Sequence, residues 1–94
     1  MTKPEHPPNH VEVAVITTSG RWPATGFERT PSHEKVRVTL DRAARELRLA
    51  DTPGWVATVD GREIAIESSY IENHLTGEVV IDYGPRAGGG GRRA

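Results

Sequence analysis

The residues that could do chemistry are few. His6 and His10 stand four apart, a metal-ligand spacing only if both lie on one helix face. Pro7 and Pro8 lie between them and forbid that helix, so no metal pair is assigned. His33 and His74 are isolated, with no serine and carboxylate at a spacing that would make a nucleophile of either. There is no cysteine, and therefore no thiolate, disulfide or Cys-ligated zinc. No phosphate-binding loop and no pair of carboxylates in an evident pocket is present. The sequence implies no catalytic residue, no bound metal and no chemistry of its own. What stands out instead is a run of four glycines, Gly88 to Gly91, followed by Arg92, Arg93 and Ala94, with Arg86 just upstream.

The elements that would carry this terminus form one small unit. The 94 residues are 35% hydrophobic and 5% aromatic, enough for a modest core. Twelve Lys and Arg against thirteen Asp and Glu give a net charge of −1, which argues against nucleic acid or an anionic membrane as a partner. No apolar run approaches the roughly 20 residues that span a bilayer, and the first residues lack the apolar stretch of a secretory signal. These features place the chain in the cytoplasm as an expectation, and the missing cysteines agree with it.

Residues 1–9 hold three prolines and no apolar residue after Met1, and read as a flexible N-terminal tail. Residues 85–94 read as a flexible glycine-rich C-terminal tail, because consecutive glycines bury nothing and have maximal backbone freedom. The folded domain is expected over residues 10–84. His10 to Thr18 is β-branched, with Val11, Val13 and Val15 on one face. Ser19-Gly20 and the segment Pro23 to Gly26 are turn signals, and Phe27 to Thr30 is the return piece of a hairpin.

Val36, Leu40, Ala43, Ala44 and Leu47 recur at helical spacing, while Arg37, Asp41, Arg42, Arg45 and Arg48 form a wetted opposite face. A helix is predicted from Lys35 to Leu47, with Ser32 as its N-cap. Trp55 to Val59 and Arg62 to Ile66 form two strands joined by an Asp60-Gly61 turn. The polar stretch from Ser68 to Gly77 is expected to be anchored inward by Tyr70, Ile71 and Leu75. Glu78 to Tyr83 is the last strand, with Val79, Ile81 and Tyr83 facing the core.

Three local anchors, in this order and spacing, carry a family resemblance. They are Val59-Asp-Gly-Arg-Glu-Ile64, then Ser69-Tyr70, then Val79-Val-Ile-Asp-Tyr-Gly-Pro-Arg-Ala-Gly-Gly. Over Val11 to Gly91 the chain resembles the ubiquitin-like proteins, in particular the single-domain bacterial ones found beside E1-like, E2-like and JAB-type peptidase proteins. The resemblance implies an α+β β-grasp fold, a mixed sheet of four to five strands wrapped on one helix.

It also implies a function: a protein modifier made as a precursor. A JAB-type or other peptidase would remove Arg92, Arg93 and Ala94, leaving a mature end at Gly91, with Gly89 the alternative. An E1-like enzyme would then adenylate that carboxylate, and an E2-like protein would pass it to target proteins. Gly88 and Gly90 would keep the tail narrow enough to thread the E1 channel, and Arg86 would anchor it on an acidic partner. ATP and zinc would belong to those partner enzymes, and this chain would bind neither.

Two other readings share the fold. A sulfur carrier would convert its glycine end to a thiocarboxylate, although such carriers generally end on the glycines as made. A plain β-grasp binding module would never be processed. Ubiquitin presents an apolar sheet patch to its receptors, and at the aligned outward positions this chain has Thr58 and Asp82. Ubiquitin-type receptors are therefore expected to bind it poorly. Ile16, Trp22 and Phe27 are the alternative apolar contact residues. Lysine is confined to Lys3 and Lys35, which would limit chain formation through the modifier itself.

Overall fold

The structure is a computed structural model, and it describes residues 9–86. Strand β1 (His10–Thr17) is followed by β2 (Gly20–Trp22) and β3 (Glu28–Pro31), then helix α1 (Val36–Glu46). Strands β4 (Trp55–Val59), β5 (Arg62–Ile64) and β6 (Glu78–Pro85) complete the order. They form one mixed sheet in the order β2-β1-β6-β4-β5, with β3 also paired to β1. The two terminal strands lie at its centre and run parallel, with Val13 opposite Val79 and Val15 opposite Ile81.

The sheet has five positions but six strands. β2 and β3 both pair antiparallel with the edge of β1 that faces away from β6. They are two pieces of one returning arm. Pro23 has no N–H to donate, so pairing stops after Trp22 and resumes at Glu28. Gly20, which reads in sequence as turn, is therefore strand together with Arg21 and Trp22. Gly20 is needed there, since its φ of +137° is one that residues with a side chain rarely adopt.

Helix α1 covers the inner face of the sheet. Val11, Val13, Val15, Val36, Leu40, Ala43, Ala57, Ile64, Val79 and Ile81 form the core. Ala44 and Leu47, expected in that core, are only half-buried. Thr39 is buried in their place, because its hydroxyl accepts a 2.7 Å bond from buried Tyr70. The helix also lacks the expected Ser32 cap: it begins after Lys35 with no side-chain cap. Its first free amides are taken by the chain itself, Val36 N–H by the Ser68 carbonyl at 3.0 Å and Arg37 N–H by the Ile66 carbonyl at 2.9 Å. At the other end Leu49 N–H bonds the Ala44 carbonyl and Arg48 N–H the Arg45 carbonyl. This is a Schellman closure, with Arg48 in the left-handed region at φ 57° where glycine is usual.

The Asp60-Gly61 turn forms as its sequence requires, both residues having positive φ. Strand β5 ends at Ile64, two residues earlier than its composition suggests. The Asn73 side chain accepts from Ala65 N–H at 2.9 Å and donates to the Ala65 carbonyl at 2.8 Å. It thus replaces a neighbouring strand. Asn73 is held by a reciprocal turn in which Ser69 N–H bonds the Glu72 carboxylate and Glu72 N–H bonds the Ser69 hydroxyl. Tyr70 and Leu75 anchor this segment inward as expected, but Ile71 is 44% exposed and does not. The inward positions are taken by Tyr70, Asn73 and Leu75.

Candidate functional site

The outer face of the sheet, away from α1, is built by strand alternation. Directly opposed residues share a face, so register alone names the row that crosses it. Arg21 opposes Ile16, Ile16 opposes Asp82, Asp82 opposes Thr58, and Thr58 opposes Glu63. One row thus runs through all five sheet positions. Asp82 and Thr58, singled out from sequence as outward residues, are immediate neighbours on it. Ile16 joins them from the other flank.

Around this row lies a groove of about 470 Å³, lined by Ile16, Thr17, Val56, Thr58, Asp82 and Pro85, with Thr18, Tyr83 and Gly84 completing it. Ile16 and, one outward step along β6 from Asp82, Val80 are each 39% exposed. The other apolar residues expected at a contact surface lie elsewhere. Trp22 opposes Val15 and packs against the core, with the Arg42 guanidinium 6.0 Å from its ring centre. Phe27 is half-buried beneath Arg21, whose guanidinium is 5.4 Å from its ring centre.

The base of the C-terminal segment adjoins this groove. Strand β6 is hydrogen-bonded on both flanks, by β1 and β4, and carries the chain to Pro85. Arg86 follows immediately, and both of its terminal nitrogens donate to Glu63 at 3.1 Å. Glu63 points outward from β5, and β4 lies between the two strands. The guanidinium therefore crosses the outer face of β4 to reach it. An acidic partner for Arg86 exists within the chain. Glu63 escapes a search of the sequence for chemistry, though the two-residue Asp60-Gly61 turn fixes its register opposite Thr58. The residues expected to serve conjugation and processing, Gly88, Gly89, Gly90 and Gly91, and the expected extension Arg92, Arg93 and Ala94, lie outside the described residues.

Among the described residues the histidines do not converge. His10 opens β1, His33 and His74 are exposed in turns, and His6 lies outside the described residues. Among the described residues no three His, Asp or Glu side chains stand together in a way that could hold a metal ion, and no helix is long and apolar enough to cross a membrane. Arg37 pairs with Glu67, raising the guanidinium and lowering the carboxyl in pKa, chiefly through the hydrogen bond between them. Burial pushes the Tyr70 hydroxyl up to about 12, against the opposing pull of its bond to Thr39. None of these residues lines the groove.

No family model matches the chain, and no curated protein matches it in sequence. Solved structures do match its shape. A de novo designed protein based on ubiquitin superposes with a TM-score of 0.65 at 19% identity, over 90% of this chain and 99% of that one. A protein described for molecular mimicry of SUMO that promotes DNA repair gives 0.60 at 10% identity, over 82% and 95%. The solution structure of an N-terminal ubiquitin-like domain gives 0.60 at 12% identity, over 100% and 94%. At these identities the likeness shows the fold alone: a ubiquitin-like β-grasp.

Proposed function

We propose that this chain is the precursor of a ubiquitin-like protein modifier. The observation that carries the reading is the position of β6. A strand paired on both flanks at the centre of a β-grasp sheet delivers the chain to Pro85 and Arg86, beyond which the sequence runs into Gly88 to Gly91. In this reading a peptidase of JAB or other type hydrolyses the bond after Gly91, or after Gly89, and releases the basic extension. The freed carboxylate attacks the α-phosphate of ATP on an E1-like enzyme, expelling pyrophosphate. A thiol of that enzyme then displaces AMP, and an E2-like protein carries the acyl group to a target amine.

The chain supplies the carboxylate and the recognition surface, and no catalytic residue. Glycine suits the end chemically, because a Cβ near the carboxylate would crowd both the channel and the attacking thiol. Arg86 is the residue by which the partner enzymes would hold the segment.

The deciding experiment is mass spectrometry of the protein after incubation with peptidase, E1-like and E2-like proteins and ATP. An adduct on a target amine whose remnant ends in glycine supports the proposal. Active conjugates that still carry Ala94, or no adduct from a chain ending at Gly91, overturn it. A thiocarboxylate in place of an adduct would assign the sulfur-carrier chemistry instead.

A further inference from the structure

The outer groove holds an acid without a counter-ion. Asp82 stands at the middle of the cross-strand row, and the two arginines that could neutralise it are engaged elsewhere. Arg21 donates to the Pro23 carbonyl at 2.8 Å and lies over Phe27, turned from the row. Arg86 is clamped on Glu63. Among the described residues the Asp82 carboxylate makes no hydrogen bond and no ion pair. Its surroundings are otherwise apolar or uncharged: Ile16 and Thr58 flank it, and Val56, Val80 and Pro85 lie near it along the strands.

This combination constrains what the groove accepts. An apolar receptor laid over Ile16, Val80 and Val56 would strip water from the carboxylate and return nothing for it. An acidic receptor would add repulsion. A cation on the partner offsets the desolvation, while its aliphatic neighbours cover the apolar rim. Because Arg86 already neutralises Glu63, the groove presents one unsatisfied negative charge. We propose that this groove docks a partner segment carrying a single lysine or arginine flanked by aliphatic side chains, the cation meeting Asp82. The groove belongs to the folded domain, so the proposal stands whether or not the C-terminal residues are processed.

The test uses the full chain as bait for a phage-displayed peptide library, beside Asp82→Asn and Asp82→Lys. The wild type should enrich peptides with one basic residue between aliphatics, and a selected peptide should shift the amide signals of Ile16, Thr58 and Asp82. Its Kd should rise about tenfold on Asp82→Asn, and Asp82→Lys should enrich acidic peptides instead. Asp82 is exposed on the sheet surface, and Asp82→Asn, close to it in shape, keeps the test valid if the lysine variant unfolds. Enrichment of acidic or purely apolar peptides by the wild type, or no enrichment, overturns the proposal. So do unchanged preferences in the Asp82→Asn protein, or shifts confined to another face. Enrichment that appears only after residues 87–94 are deleted would assign the groove to the chain's own terminus and would equally overturn it.

Discussion

Arg86 and Glu63, 23 residues apart in sequence, face one another across β4 as a bidentate ion pair. The pair occupies the arginine that a tail-binding enzyme would grip. Both side chains remain roughly half-exposed or more, so the clamp contributes only about 0–1 kcal/mol. A partner carboxylate can therefore exchange for Glu63 at little cost. Glu63→Gln should leave Tm within about 4–8 °C of the wild type while shifting the Arg86 side-chain NMR signal. Arg86→Glu should slow activation by an E1-like enzyme while Tm likewise stays within about 4–8 °C of the wild type. Equal activation rates would make Arg86 a bystander.

The glycine end carries the second prediction. Truncation after Gly91 should permit ATP–pyrophosphate exchange with a cognate E1-like enzyme, and the intact chain should not support it. Gly91→Phe should block both cleavage and adenylation without moving the melting curve. An intact chain that exchanges as fast as the truncated one would refute the precursor role.

Asn73 replaces a strand at the end of β5, and its removal is expected to be costly. Asn73→Ala strands the Ala65 amide, while the Ala65 and Ser69 carbonyls lose one donor each but keep the backbone N–H groups of Ser68 and Asn73. Leaving an amide of this kind unsatisfied costs about 1–3 kcal/mol, and this one is only part-buried, so chemical denaturation should show a loss at the lower end of that range. Asn73→Asp keeps the acceptor but loses both donors, and should recover only part of the loss.

Leu40 fills the space between α1 and the sheet and is almost wholly buried. Leu40→Ala should lower the unfolding free energy by about 2–5 kcal/mol, a large share for a domain of this size. The urea midpoint measures it directly.

Tyr70 makes the stability fall in alkali. Its hydroxyl is raised from 10.0 to about 12 by burial, so the folded state holds the proton more tightly than the unfolded one. The stabilisation is complete below pH 10 and is lost as pH rises from about 10 through 12, an effect of roughly 2–3 kcal/mol. Tyr70→Phe should be less stable at pH 8, where Thr39 loses its hydrogen-bond partner, yet should show a shallower decline above pH 10. Denaturation curves at pH 8, 10 and 11 distinguish the slopes.

Local periodicity marks most of the buried faces. Val11, Val13 and Val15 alternate, as do Val79, Ile81 and Tyr83, and the spacing of Val36, Leu40 and Ala43 is helical. Those periods are local, and each maps directly onto one face of an element. The Asp60-Gly61 turn likewise needs only its own two residues. Everything that joins distant segments was decided by tertiary structure. The parallel meeting of β1 with β6 sets Asp82 beside Ile16, and no local pattern specifies that register. The start of α1 is closed by the carbonyls of Ile66 and Ser68, and a backbone carbonyl leaves no mark in a sequence, so Ser32 was the only cap in view. Ile71 and Tyr70 are adjacent apolar residues, and only the turn built by Ser69, Glu72 and Asn73 sends one inward and the other out. Arg86 and Glu63 meet because three strands lie side by side. Exposed charges follow no hydrophobic period, so the folded sheet alone selects their partners.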